Sequence, residues 1–139
     1  MKKTIFSLAL TVPLLGCADP EPSDKIIQEG YALLKEHYAL AVKPADSAPY
    51  STKCTYTEFE GRHFAGCGFY YGGSRLVRRG KWEIINEKGT PGLLALNGKA
   101  VVALNQIWAY RAEQGIYGNF RIGYRRPPLD PSVFPDYSC

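Results

Sequence analysis

Nowhere in its 139 residues does the sequence carry an apolar run long enough to span a bilayer. The longest such stretch, Ile5 to Leu15, contains Ser7, Thr11 and Pro13, and a spanning helix needs about 20 apolar residues. Histidine is scarce: His37 and His63 stand in unrelated segments. Cysteine occurs four times, and the spacing forms no CxxC pair, so no zinc-type ligand pattern is present. No serine sits in a GxSxG elbow, and no pair of carboxylates stands out for glycoside hydrolysis. The glycines of "GRHFAGCGFYYGG" lie in a strand–turn context, which is unlike a phosphate-binding loop. Charge of one sign is also lacking. Lysine and arginine number 17 against 13 acids; setting aside Lys2 and Lys3 leaves a net of +2, which makes no case for nucleic acid. No catalytic residue, metal or cofactor is expected from these patterns.

What is present begins at the N-terminus. Lys2 and Lys3 precede the apolar stretch, whose length fits the roughly 7–15 residues of a secretory signal. Pro13 argues against a buried helix there, because an interior proline costs about 3 kcal/mol. The stretch ends in Leu14-Leu15-Gly16-Cys17. This resembles the lipobox of bacterial lipoproteins, with Leu15 slightly larger than that pattern's usual second residue. The resemblance covers residues 1–17 and implies a diacylglyceryl group on the Cys17 sulfur, cleavage before Cys17, and further acylation of the new amine. Residues 1–16 would then be the signal. Residues 17–23 would be the lipidated cysteine and a short tether whose prolines favour extended chain. The residue after Cys17 is Ala18, not aspartate; by resemblance to the enteric pattern this sends the protein to the outer membrane, facing the periplasm. The membrane is thus one expected partner, through lipid on Cys17.

Residues 24–126 read as one α+β domain: an N-terminal helix, an antiparallel sheet of four to five strands, and a second helix packed on the sheet. Ile27, Tyr31, Leu34, Tyr38 and Ala41 form one apolar stripe over Asp24 to Val42, with Ser23 a plausible N-cap and Pro44 closing the segment. Gly30 inside that helix costs about 1 kcal/mol.

"KCTYTEFEGRHFAGCGFYY" reads as a hairpin turning at Glu60-Gly61. Facing residues then include Glu58 with His63, Tyr56 with Ala65 and Cys54 with Cys67. The last falls on a non-hydrogen-bonded pair, where Cα atoms sit about 4.5 Å apart, within disulfide range. A Cys54–Cys67 disulfide is therefore expected, in the oxidising compartment that export implies; the competing reading joins Cys139 to one of the two. This pairing puts Cys54, Tyr56, Ala65, Cys67, Phe69 and Tyr71 on a core face. His63 beside Glu58 could be a general base, but a cross-strand charge pair is the commoner meaning.

"SRLVRRGKWEII" continues as a third strand with Gly80 a candidate bulge, "EKGTPG" breaks it, and "LLALN" is a short fourth strand. Asn97-Gly98 could turn a hairpin. Yet Lys99 to Gln114 is rich in helix formers and ends at Gly115, a natural C-cap, with Val101, Leu104, Trp108 and Ala112 at helical spacing; the helix is favoured. "GNFRIGYRR" reads as a last strand. Residues 127–139 are a proline-rich tail that cannot pair as a strand, with Phe134 and Tyr137 available to dock on the body. Arg75, Arg78, Arg79 and Lys81 read as a solvated strand face.

Aromatics exceed what a small core obviously needs, and Tyr70, Trp82, Trp108, Tyr117 and Tyr124 are candidate binding residues, with core packing as the alternative. The expected function is a membrane-anchored, non-catalytic accessory or scaffold that binds an envelope protein partner in a secretion, conjugation or pilus-type assembly. An inhibitor, immunity or exclusion lipoprotein is one alternative, and a small enzyme acting on cell wall or lipid is another.

Overall fold

The computed structural model describes residues 21–44, 48–71, 77–115 and 121–124, with the side chains of 77–79 and 124 outside the description. Helix α1 spans Lys25–Ala41. Its N-cap is Asp24 and not Ser23: the Asp24 carboxylate accepts from the backbone N–H of Ile26 at 2.9 Å and of Ile27 at 3.0 Å. A charged acceptor satisfies two of the orphan donors and also suits the positive helix start, which a serine does less strongly. The expected stripe is the buried face, with Ile27, Tyr31, Leu34 and Tyr38 all at most 2% exposed.

Strands β1 (Ser51–Phe59) and β2 (Arg62–Tyr70) form the hairpin in the expected register, Cys54 opposite Cys67 and Tyr56 opposite Ala65. Glu60 and Gly61 both take positive φ, at 53° and 76°, the combination a two-residue type I′ turn demands. Lys88 and Gly89, at 55° and 86°, do the same between β3 (Val77–Glu87) and β4 (Thr90–Ala95).

The segment "EKGTPG" is therefore a turn plus the start of β4, not a break before a strand. Pro91 is tolerated because it faces Asn86 in a non-hydrogen-bonded pair, where its missing N–H would have pointed away from β3. The register slips between β2 and β3, from Cys67 opposite Gly80 to Phe69 opposite Val77. This places a bulge on β3 just before Gly80.

Helix α2 spans Gly98–Gln114, with Asn97 as N-cap and Gly115 as a left-handed C-cap. Its buried residues are Ala100, Ala103, Leu104, Ile107 and Arg111. The expected stripe through Val101, Trp108 and Ala112 was turned too far: small alanines face the sheet and let the helix sit close. Strand β5 (Arg121–Tyr124) then pairs parallel with β4. The sheet, in the order β1-β2-β3-β4-β5, is thus mixed and not wholly antiparallel. The physical cause is the helix between β4 and β5: a crossover returns the chain to the same end of the sheet and so forces parallel pairing.

Both helices pack on one face. That face presents Tyr56, Ala65, Cys67, Phe69, Trp82, Ile84, Leu93 and Ala95 to Tyr31, Leu34, Tyr38 and Ile107, forming the core. Gly30 gives the contact its closeness: a Cβ there would lie 2.6 Å from the Ile84 Cγ2.

Candidate functional site

Val42 caps α1 in extended conformation, and the chain leaves past Lys43 and Pro44. The first turns of α2 cross the same end of the sheet, over Phe69 near the end of β2. Between them lies a groove of about 290 Å³. Tyr38, Val42, Phe69 and Ala103 give it apolar walls, and Lys43, Lys99 and Val102 are among the rest of its lining. Val102 is 62% exposed at the groove's edge. Gln106 ties the two helices by donating from Nε2 to the Lys43 carbonyl at 3.3 Å. Its Oε1 is buried without a hydrogen-bond partner.

The groove offers binding and no evident chemistry. Tyr38 is its one acidic hydroxyl, and burial pushes that hydroxyl far above its ordinary value, with the Trp82 hydrogen bond pulling weakly the other way. It stays protonated at any ordinary pH. What the groove can accept is an apolar side chain whose flanking groups are anionic.

Of the residues singled out from the sequence, Cys17 and Tyr117 lie outside the described residues, and so does the side chain of Tyr124 in β5. Cys54 and Cys67 form a disulfide, with Cα atoms 4.0 Å apart. Trp82 is not a surface residue: it is fully buried and its indole N–H donates to the Tyr38 hydroxyl. Its place opposite Ala65 and Ala95, two small residues on the helix-covered face, leaves room for the largest side chain. Tyr70 is half-buried, with Lys53 Nζ 5.8 Å from its ring centroid. Trp108 is 47% exposed on α2, on a different flank from the groove. Sequence periodicity missed the groove because Lys43, Lys99 and Val102 come together only where two helix ends meet.

His63 faces Glu58 across the hairpin as expected, but its hydrogen-bond partner is Tyr56, with 2.8 Å between Tyr56 Oη and His63 Nδ1. The rings stack at 17°. Burial raises the Tyr56 pKa first, and the carboxylates of Glu58 and Asp24 raise it further. Phenol and imidazole thus form a stacked, hydrogen-bonded pair near the hairpin tip, with the Glu58 carboxylate close enough to be felt by the phenol. His37 is held by its own helix, Nδ1–H donating to the Leu33 carbonyl at 2.8 Å.

Among the described residues no group of three or more His, Cys, Asp or Glu could hold a metal ion. No described helix is long and apolar enough to cross a membrane. No protein-family model, curated protein or solved structure matches this chain.

Proposed function

We propose that the protein is a lipid-anchored envelope lipoprotein, probing its surroundings not by catalysis but by docking another envelope protein at the groove between α1 and α2. The observation that carries the anchor is Leu14-Leu15-Gly16-Cys17 behind a charged start and an apolar stretch. The Cys54–Cys67 disulfide supports export, because such bonds persist in oxidising compartments. Six residues, 18–23, lie between Cys17 and the Asp24 cap; seven steps at about 3 Å each set an upper reach of about 20 Å from the bilayer. The membrane named by this reading is the outer membrane, on its periplasmic side. Docking at the groove is supported by the exposed Val102 on its lining; the exposed Trp108 offers a second apolar contact on another flank of the same helix.

Two measurements test the reading. Radiolabelled palmitate should enter the full chain and not a Cys17→Ser variant; label retained in the variant would remove the anchor. Affinity capture from detergent-solubilised envelopes should return a stoichiometric partner with the wild type that is lost with Val102→Asp. A clean bait, or a partner indifferent to Val102→Asp and Trp108→Asp, would move the weight to an inhibitor or exclusion role, which a challenge assay would then reveal.

A further inference from the structure

The face of the sheet turned away from both helices behaves as though it were an interior. Strand alternation puts Thr55, Thr57, Phe64, Gly66, Lys81, Glu83, Gly92 and Leu94 there, because their neighbours in register hold the helix-covered side. On an open face these residues would be wet. Instead Phe64 is completely buried, Thr55 is 1% exposed and Glu83 is 3% exposed. The Thr55 hydroxyl is inaccessible and has no hydrogen-bond partner. Arg62 accounts for part of this. It donates to both Glu83 carboxylate oxygens, from Nε at 2.9 Å and Nη2 at 2.8 Å, with its guanidinium 5.1 Å from the Phe64 ring centroid. But the Arg62 side chain is itself 41% exposed, and one planar group cannot close over a phenyl ring, a neighbouring threonine and a glycine on the adjoining strands.

We propose that this outer face is a docking surface whose occupant is the chain's own C-terminal segment, residues 127–139, seated by Phe134 or Tyr137 against Phe64. That segment lies outside the described residues. The argument rests on reach, chemistry and charge. The chain leaves β5 at Tyr124, and Phe64 is on β2, three strand spacings away, about 14 Å at about 4.8 Å each. Phe134 is ten residues beyond Tyr124; as extended proline-rich chain at about 3.1 Å per residue it reaches about 30 Å. The tail therefore crosses the sheet with length to spare.

Its prolines at 127, 128, 131 and 135 remove the donors a strand needs, so it lies across the face and does not extend an edge. The described outer face carries Lys53, Arg62, Lys81 and Arg121 against Glu83 and Glu87, and the tail brings Asp130 and Asp136. The other long segment outside the description is the N-terminal leader, which the lipobox reading removes from the mature protein; the occupancy of the face by the tail does not otherwise depend on the anchor.

The test places the photo-reactive analogue benzoylphenylalanine at position 134 of the full chain and maps cross-links after irradiation by mass spectrometry. Cross-links to peptides of β2 or β3, in the monomer and in chain processed to begin at Cys17, are expected. Cross-links to α1 or α2, to a second copy, or in unprocessed chain alone would overturn the proposal. A second readout is binding of the dye ANS to the full chain carrying Phe134→Ala and Tyr137→Ala. A severalfold rise in fluorescence is expected as the face opens; binding equal to wild type would overturn it.

Discussion

The indole N–H of Trp82 donates to the hydroxyl of Tyr38 at 3.0 Å, deep in the core, where the rings meet edge to face at 83°. One residue belongs to β3 and the other to α1, 44 positions apart in sequence, so this contact joins helix to sheet. Tyr38→Phe keeps the ring packing and strands a buried N–H, which costs about 1–3 kcal/mol. Urea unfolding monitored by tryptophan fluorescence should show that loss as a lower midpoint with an unchanged slope.

The same hydroxyl makes stability depend on alkaline pH. Burial raises the folded-state pKa of Tyr38 above its unfolded value, near 10. The folded chain then holds its proton more tightly than the unfolded one. Stability from this group is complete below about pH 10 and is lost as pH rises from there toward the folded value. Tyr56 shifts in the same direction. Unfolding midpoints measured from pH 8 to 11 should be level at first and then fall, and Tyr38→Phe should fall less steeply. A parallel decline in both proteins would assign the effect elsewhere.

The Cys54–Cys67 bond closes a short loop, with a sequence separation of 13. A loop of about that size is worth about 3 kcal/mol in the chain-entropy account. Both sulfurs belong to the core, so Cys54→Ser with Cys67→Ser would add a burial cost for polar groups; Cys54→Ala with Cys67→Val isolates the cross-link better. That pair should lose about 2–3 kcal/mol, read from chemical denaturation, and wild-type protein under reductant should lose a similar amount.

Gly30 sets two effects against each other. Alanine would improve helix propensity by about 1 kcal/mol. Its Cβ would also lie 2.6 Å from Ile84 Cγ2 and 3.3 Å from Pro91 Cβ, and overpacking of this kind costs about 1–3 kcal/mol. Packing should win, so Gly30→Ala is expected to lower the thermal midpoint. A raised midpoint would show that Ile84 gives way easily.

Asn97 serves two masters through one oxygen. Its Oδ1 accepts from the N–H of Ala100 at 3.0 Å and from the N–H of Lys81 at 2.9 Å, capping α2 and fastening it to β3. Asn97→Ala orphans both donors and should cost about 2 kcal/mol, at the upper end for an N-cap. Asn97→Asp keeps an acceptor in place and should retain most of the stability. Equal losses in the two variants would mean that the oxygen is not the important part.

Legibility in the sequence followed the range of the forces. The first helix, the Glu60-Gly61 turn and the Cys54–Cys67 pairing were readable because each depends on residues close in sequence. Periodicity fixes a helix face, positive φ fixes a tight turn, and turn length fixes every register position outward from it. The segment after Asn97 was open to two readings, since Asn-Gly suits both a hairpin turn and a helix start; packing of Ala100, Ala103 and Ile107 on the sheet selects the helix.

Spacing along the chain was enough for the local features: the α1 stripe, the hairpin register with its disulfide, and the α+β order of elements. Long-range packing set the remainder. It made β5 parallel to β4, because a helix intervenes; it sank Trp82 from a candidate binding residue into the core, because two alanines flank it in register; it gave His63 to Tyr56 and not to Glu58. It also assembled the groove from two helix ends. Each of these depends on which distant residues share one layer, and one-dimensional spacing does not carry that information.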